Sequence, residues 1–405
     1  MMKKATRIAV SIMLAIAALW TNLSGQSKPF HSKLWTFATK GKIFTTPLAH
    51  DRALYFGSSD HSLYAVDAES GQLQWRFETD GAVHSGAAID GELLYFVSMD
   101  GFCYAVNRNN GTLAWKFQTA GEQIYDPWDY YLSTPAISED IVYFGSGDHN
   151  IYAIHKATGE KIWQFETGGI VHTRGEIAGE HIYFGSFDGV MYCLDKNTGA
   201  LKWPFDTVGN RSFPRGEIQS SATVRDGVLY FGSRDYILYA LDAQNGTGYW
   251  LQQTPSWVIA QPTVQDDVLY VGTSDGPRCY AFDAKSGKKL WQYPIMLNIF
   301  GAALATADEV FYPSFDGKLY VVDKQQGTLK YTIASEPADK NFFTIFTPDS
   351  TLRPELLAEA QKTGDYGKVY DQLHKLGSIL AAPLIVDDRL YFTSTDGKLY
   401  AFGRE

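Results

Sequence analysis

The chain has 405 residues, and its 45 acidic and 35 basic side chains give a formal net charge of −10 at pH 7. Nucleic-acid binding depends on a basic surface, so this charge excludes nucleic acid as a partner. The three cysteines, Cys103, Cys193 and Cys279, are far apart in the sequence. They predict small buried side chains and no disulfide framework, because a chain of this length buries a large core without covalent cross-links.

The first 25 residues have the pattern of a signal peptide. Three basic residues precede an apolar run from Ile8 to Trp20, and small or polar residues follow it. The run is shorter than the ~18 to 20 residues that span a bilayer, so we predict cleavage near Gly25 and no transmembrane segment in the mature chain. No Cys lies near the cleavage point. We therefore predict a periplasmic or secreted protein that carries no lipid.

Residues 26–405 repeat one short motif, a Ser or Thr two residues before an Asp, with a usual step of 40 residues. A period of ~40 residues with alternating apolar positions and turn signals predicts four-stranded propeller blades rather than helical repeats. The eight Asp residues of the motif are Asp60, Asp100, Asp148, Asp188, Asp235, Asp275, Asp316 and Asp396.

Each repeat predicts four strands. In the first repeat, small residues at 45–48 supply the innermost strand, and residues 54–58 and 63–67 form a hairpin around the motif Asp. Gly71 then turns the chain into an outer strand that contains Trp75. The aromatic residues at the same position of the next six repeats are Trp115, Trp163, Trp203, Trp250, Trp291 and Tyr331.

The eighth repeat ends at Glu405, before its outer strand, and the missing strand is present at the other end of the chain. Residues 34–39 resemble the outer strand at 73–79 but have no blade of their own. An N-terminal strand that completes the last blade would close the ring and remove exposed sheet edges. We therefore predict an all-β, closed eight-bladed propeller that is a monomer.

Three long intervals interrupt the repeat, and all three fall between an outer strand and the next inner strand. Because strands alternate in direction, the insertions emerge on the same face of the ring. Aromatic and charged side chains together are typical of a recognition surface, although the insertions could instead only plug the channel mouth. The candidate binding residues of the first two insertions are Tyr125, Asp126, Trp128, Tyr130, Arg211, Arg215 and Glu217.

The third insertion, residues 336–376, has helix signals in place of the propeller pattern. Thr351 is placed to cap a helix whose first turn contains Pro354 and Glu355, and Gly364 is placed to end it. A second short helix is predicted over 368–375. These signals predict a helical flap between the seventh and eighth blades that packs on the inserted face.

Four residues at or near the start of inner strands are unusual for positions close to a propeller axis. His84 and His172 share one repeat position a quarter turn apart, and we favour hydrogen-bonded packing over a metal pair. Arg174 and Glu176 replace small residues. Charges at such positions need partners, so either they pair with each other or they mark a ligand site or water-filled channel.

The run Tyr-Ala-Val-Asp-x-x-x-Gly-x-x-x-Trp at 64–75 resembles the repeat of the pyrroloquinoline-quinone-type (PQQ-like) propeller family. The resemblance covers residues 34–335 and 377–402. In size and closure the chain is similar to the BamB-like scaffolds of the outer-membrane protein assembly machinery. That similarity implies a protein partner from that machinery, bound through propeller loops without a cofactor. The chain differs from those scaffolds in lacking a lipidated Cys and in its helical insertion.

Two other functions fit the same fold. PQQ-dependent dehydrogenases resemble this chain, but they carry a vicinal Cys pair and, in some, a haem motif, and neither pattern occurs here. Asp126, Asp129 and Glu176 could supply oxygen ligands to calcium, and Trp128 or Trp257 could stack on the quinone. A carbohydrate or small ligand could also bind aromatic loops. We favour a partner-binding scaffold without catalytic residues, cofactor or metal.

Overall fold

The computed structural model describes residues 28–274, 276–363 and 367–404. The predicted signal peptide at 1–25 and the motif residue Asp275 lie outside these residues. The described strands form eight four-stranded antiparallel sheets, which are the blades of one propeller. In seven blades the strands follow chain order from the axis outward, and the eighth combines the last three strands with the first. The predicted eight-bladed fold is confirmed.

The strands of the first four blades are, from the axis outward, β2 (Leu48–His50), β3 (Ala53–Ser58), β4 (Ser62–Asp67) and β5 (Leu73–Glu78); β6 (Ala88–Asp90), β7 (Leu93–Ser98), β8 (Phe102–Asn107) and β9 (Leu113–Gln118); β10 (Ala136–Ser138), β11 (Ile141–Gly145), β12 (Asn150–His155) and β13 (Lys161–Glu166); β14 (Glu176–Ala178), β15 (His181–Gly185), β16 (Val190–Asp195) and β17 (Leu201–Asp206).

The strands of the last four blades are β18 (Thr223–Arg225), β19 (Val228–Gly232), β20 (Ile237–Asp242) and β21 (Gly248–Gln253); β22 (Thr263–Gln265), β23 (Val268–Gly272), β24 (Arg278–Asp283) and β25 (Lys289–Pro294); β26 (Leu304–Ala305), β27 (Glu309–Pro313), β28 (Lys318–Asp323) and β29 (Leu329–Ala334); β30 (Leu384–Val386), β31 (Arg389–Thr393), β32 (Lys398–Arg404) and, outermost, β1 (Phe30–Ala38).

The innermost strands are shorter than predicted and begin later. Strand β2 begins at Leu48, whereas the sequence predicted a strand from residue 45. Thr45 uses its side chain in place of a ladder bond, since its Oγ1 donates to the oxygen of Gly57 and accepts the Gly57 amide, at 3.2 and 3.1 Å. Pro47 has no amide hydrogen to contribute to a ladder.

The repeated Trp and Gly form the joint between neighbouring blades. Gly111 adopts a φ of 71°, and a Cβ built on it would lie 2.6 Å from the ring of Trp75 in the preceding blade. Trp75 Nε1 donates to the oxygen of Arg108 in the same following blade, at 2.9 Å. Only Gly allows both the backbone conformation and the ring contact. The other Trp and Gly pairs in this contact are Trp35 and Gly71, Trp115 and Gly159, Trp163 and Gly199, Trp203 and Gly246, Trp250 and Gly287, and Trp291 and Gly327.

Strand β1 closes the ring as predicted. It pairs antiparallel with β32, with Trp35 opposite Ala401, just as Trp75 lies opposite Ala65 in the first blade. Phe30, at the start of β1, is fully buried and packs against Phe311 of the seventh blade with ring centroids 6.0 Å apart. The N-terminal strand therefore joins the last blade to both of its neighbours.

The third insertion contains three described helices, α1 (Glu336–Ile345), α2 (Pro354–Thr363) and α3 (Gly367–His374). Helices α2 and α3 were predicted, and α1 was missed because it begins two residues after the outer strand β29 ends. Its signal was present in the sequence, since Glu336 and Pro337 directly follow Ser335. In the described part of the chain, no helix has the length and apolar character needed to cross a membrane.

Candidate functional site

The inner ends of the blades enclose an axial cavity of about 300 Å³. Its lining includes residues from all eight blades. Toward the inserted face, an apolar collar forms most of its wall, at a repeat position whose three polar residues are His84, His172 and Gln219. The collar residues are Phe44, Leu132, Ile259, Phe300 and Leu380. The first insertion lies across this mouth, and the hydroxyl of Tyr131 reaches from the third blade to donate to the oxygen of Leu380 in the eighth, at 2.8 Å.

A buried arginine anchors the first insertion. Arg234 has no solvent exposure, and its guanidinium forms a two-point ion pair with Asp126. Gln219 Oε1 accepts two further hydrogen bonds from the guanidinium, at 3.1 and 2.7 Å. The rings of Tyr125, Phe187 and Trp257 surround it, with centroids 5.5, 5.1 and 5.0 Å from the guanidinium carbon. Carboxylate and rings together compensate the burial of this charge.

His172 is a second anchor of the same insertion. Its Nδ1 contacts Asp129 at 2.9 Å and its Nε2 contacts Glu122 at 3.2 Å, and all three side chains are buried. Burial lowers the pKa of His172, but attraction to Asp129 and Glu122 outweighs it and raises the pKa to about 9. The imidazolium therefore persists at neutral pH and holds two carboxylates of the first insertion.

His84, at the matching position of the second blade, is neutral at neutral pH, unlike His172. Its Nε2 contacts Ser59 Oγ at 2.9 Å, and burial, followed by the charge of His172, lowers its pKa to about 4. No group of three or more metal-ligating side chains has metal-site geometry among the residues that the structure describes. Both histidines are engaged by protein groups, in keeping with hydrogen-bonded packing.

The anchor at His172 predicts a loss of stability at alkaline pH. The pKa of about 9 in the folded protein exceeds the ordinary histidine pKa of 6.5. The stabilisation is thus complete below about pH 6.5 and disappears as the pH rises to about 9, by on the order of 3 kcal/mol. Denaturant unfolding of wild type and His172→Gln at pH 6 and 9.5 measures it. The loss should be reduced in His172→Gln and retained in the position-matched control His84→Gln. Equal loss in all three proteins would refute the assignment.

The structure places Trp128 and Tyr130 on the underside of the first insertion. Trp128 packs against Tyr370 of α3 with centroids 3.8 Å apart, and Tyr130 stacks on Phe44 at 5.2 Å. Both side chains are half-buried. Sequence analysis treated them as exposed anchors, whereas these contacts show them covering the channel mouth, as in the plug alternative. Whether they also contact a partner stays a prediction.

Other candidate residues form an exposed rim around this plug. Arg211 and Arg215 are exposed, and Tyr125 is 41% exposed. The Tyr125 hydroxyl donates to Glu217 Oε1 at 2.9 Å. Glu217 itself is buried, and its other carboxylate oxygen has no hydrogen-bond partner among the described residues. Trp257 is also buried, in the ring cage of the arginine anchor.

Arg174 and Glu176 do not form an ion pair with each other in the described structure. The Glu176 carboxylate accepts the amide of Val224 at 3.0 Å, and burial raises its pKa. Arg174 is exposed to the axial cavity, and its amide donates to Ser221 Oγ at 2.9 Å. The two charges are close enough for Arg174 to lower the pKa of Glu176 against the larger effect of burial, but they form no direct ion pair, and Arg174 lines the cavity.

Sequence analysis missed Arg234, whose side chain anchors the first insertion. It is the middle residue of the Ser-x-Asp motif, a position whose side chains include Phe187 and Phe315 at the channel mouth. Arg234 is the one charged residue at this position in the sequence, and that departure was the available signal. The eight residues at the position are Ser59, Met99, Gly147, Phe187, Arg234, Ser274, Phe315 and Thr395.

The donor groups of this mouth do not fit a quinone held by calcium. The three carboxylates suggested as calcium ligands are already engaged, Asp126 by Arg234, Asp129 by His172 and Glu176 by a backbone amide. The three cysteines are buried in three different blades, so none can pair with another over a cofactor.

Curated relatives match parts of the chain. The quinoprotein alcohol dehydrogenase PedH of Pseudomonas putida is 28% identical over 151 residues, which cover 34% of this chain and 25% of PedH. Outer membrane protein assembly factor BamB of Shewanella oneidensis is 29% identical over 147 residues, 35% of this chain and 30% of that protein. The alignments thus span less than a third of either relative.

Among solved structures, BamB from Moraxella catarrhalis superposes with a TM-score of 0.67 and 17% identity, covering 92% of this chain and 98% of that chain. This likeness shows the fold. A family model described as outer membrane protein assembly factor BamB matches residues 31–165, 126–219 and 188–405. These matches cover nearly the whole chain, so the chain belongs to that family of PQQ-like repeat propellers.

Proposed function

We propose that this protein is a scaffold that binds a protein partner through the rim of the inserted face. The observation that carries the proposal is that the first insertion has an exposed outer surface and is fixed in place by buried ion pairs on its inner side. Arg234 and His172 fix the first insertion from below, while Tyr125, Ile124 and Arg215 remain exposed above. Such preorganisation lowers the entropy lost on binding.

The rim has the residue types of a protein-binding surface. Ile124 and Val208 are 56% and 65% exposed, beside the exposed Arg211 and Arg215. Neither arginine forms an ion pair with another described residue. Arg and Tyr are enriched among the residues that dominate binding energy, and an unpaired arginine favours an acidic partner group. We infer an apolar partner surface that also carries carboxylates.

Family membership supports outer-membrane protein assembly as the setting, because both the family model and the Shewanella relative are named for it. The N-terminal pattern supports export to the periplasm without lipid attachment. Sequencing the N-terminus of the mature chain from a periplasmic fraction tests this placement, and recovery of an uncleaved chain with membranes would contradict it.

Substitution of the rim arginines tests the proposed function. We expect Arg211→Ala and Arg215→Ala to weaken partner recovery in an envelope pull-down about tenfold or more, since truncating a true anchor costs ~2 kcal/mol. Lys285→Ala is the matched control, because Lys285 is an exposed cation on a turn between third and outer strands, paired with Asp267. Partner loss with the control alone, or wild-type recovery with both rim variants, would refute the rim assignment.

Similarity to PedH keeps a quinone-dependent dehydrogenase as the second candidate, although the mouth does not fit the cofactor. We expect the purified protein, mixed with pyrroloquinoline quinone and Ca²⁺, to show neither a bound-quinone absorption band nor dye-linked alcohol oxidation. The described carboxylates already have cationic or amide partners, so calcium would have to displace them. A bound-quinone band with alcohol turnover would replace the scaffold proposal with the enzyme.

A further inference from the structure

The axial cavity has the donor groups of an anion site. Among the described residues that line it, none is Asp or Glu, and Arg174 is the one residue with a permanent positive charge. The Arg174 guanidinium has no ion pair or hydrogen bond to another described residue, while its backbone amide bonds Ser221. The nearby Glu176 carboxylate interacts with this charge without a direct contact, so the guanidinium can still offer up to five donors to a ligand in the cavity.

Three hydroxyls at the same level of the cavity are also set up as donors. Thr46 Oγ1 accepts the amide of Ala382 at 3.2 Å, and Thr134 Oγ1 accepts the amide of Gly86 at 3.0 Å. Ser221 Oγ accepts the amide of Arg174 at 2.9 Å. Each bond crosses from one blade to the next and occupies an oxygen lone pair. The hydroxyl hydrogens stay available, because none of the three donates to a described residue around this ring.

The repeat explains why these groups lie together. Thr46, Thr134, Arg174 and Ser221 each stand 14 residues before their motif Asp, so they occupy equivalent positions in four blades around one axis. The apolar collar lies two residues earlier in each repeat and therefore one level nearer the inserted face. The level of Arg174 is thus polar and cationic, and the collar level is apolar at five of its eight positions, the other three being His84, Gln219 and the imidazolium of His172.

We propose that the axial cavity binds a small organic anion. Its carboxylate or phosphate contacts Arg174 and the hydroxyls of Thr46, Thr134 and Ser221, and its apolar part lies toward the collar. A cavity of about 300 Å³ is at the lower end of ligand-pocket sizes, which restricts the ligand to a small molecule. Tyr131 bars the mouth on the inserted face, so the ligand enters from the opposite face.

This site is separate from the partner-binding rim. Arg174 lies on the axis beneath the plug, whereas Arg211 and Arg215 are exposed on the second insertion. A substitution at Arg174 should therefore leave partner recovery unchanged. If the anion-site proposal is wrong, Arg174→Gln will not change anion binding. If the scaffold proposal is wrong, Arg211→Ala and Arg215→Ala will not change partner recovery.

Calorimetric titration with benzoate, phenyl phosphate and neutral benzyl alcohol tests the site. We expect the full mature protein to bind at least one of the two anions at a single site. Arg174→Gln should weaken that binding by about tenfold or more. The substitution removes the charged donor, and hydrogen bonds between charged groups contribute more binding free energy than those between neutral groups. Lys285→Gln should bind like wild type, and benzyl alcohol should not distinguish wild type from Arg174→Gln.

The outcomes of this titration separate the sources of the anion. Tighter benzoate binding indicates a carboxylate ligand, and tighter phenyl phosphate binding indicates a phosphate ligand.

Arg174 is exposed, so we expect Arg174→Gln to have the melting temperature of wild type. An unchanged melting temperature shows that any loss of binding is not caused by unfolding. Absence of binding by both anions, or equal binding by wild type and Arg174→Gln, would overturn the proposal. Arg174→Lys, which keeps the charge, should retain part of the affinity.

Discussion

Deletion of residues 28–38 is expected to lower the melting temperature by roughly 10 °C or more, because the deletion removes β1 and opens the ring. The fully buried Phe30 and the half-buried Trp35 leave with the strand, and truncation of a fully buried aromatic residue alone costs about 3–5 kcal/mol. The deletion also exposes the edge of β32, which is otherwise paired. Thermal unfolding followed by circular dichroism measures the change.

Two point variants distinguish the stabilisation from buried side-chain packing from the stabilisation that the β1 backbone provides. Phe30→Ala, at a fully buried position, should cost about 3–5 kcal/mol, whereas Leu34→Ala, at a position 45% exposed, should change stability little. If the deletion unfolds at the wild-type temperature, or if Leu34→Ala matches Phe30→Ala, β1 does not close the propeller.

The second large effect is expected at the arginine anchor. Asp126→Asn removes the carboxylate from Arg234, whose guanidinium stays buried without its counter-ion, and should cost about 3 kcal/mol. Denaturant unfolding gives this value. Asp267→Asn breaks an exposed pair with Lys285 and should cost less than about 1 kcal/mol.

A double variant identifies the cause of that loss. Arg234→Met with Asp126→Asn leaves no unpaired charge and should be more stable than Asp126→Asn alone. The released first insertion of Asp126→Asn should also be cleaved faster by a protease than that of wild type. Equal stability of Asp126→Asn and the exposed-pair control would show that the anchor does not hold the plug.

The architecture was predictable because each blade repeats the contacts of the previous one. The contact between Trp75 and Gly111 recurs with the same spacing in the other blades. The sequence period therefore predicts both the strands of each blade and the contact between neighbouring blades. The N-terminal strand was predictable for the same reason, since residues 34–39 carry the outer-strand pattern. The inner strands began later than predicted because Thr45 and its equivalents use side-chain bonds that a pattern of small residues does not reveal.

The site was less predictable because its contacts join segments that are far apart in the sequence. Arg234 and Asp126 are 108 residues apart, and His172 and Asp129 are 43 apart. Neither pair has a local spacing signal. The contact of Trp128, a candidate binding residue, with Tyr370 of the helical insertion also joins distant segments and was not predicted. Arg174 was recognisable by its departure from small residues, but only the structure shows that it lines a cavity and makes no direct ion pair with Glu176.

The most direct test of the scaffold proposal is photo-crosslinking in living cells from a photoreactive residue at position 215, compared with position 285. Arg215 is on the exposed rim of the inserted face, and Lys285 is on a blade turn away from it. We predict a light-dependent adduct with an envelope protein from position 215, identified by mass spectrometry, and none from position 285. Adducts from position 285 alone, or from neither position, would contradict a partner-binding rim.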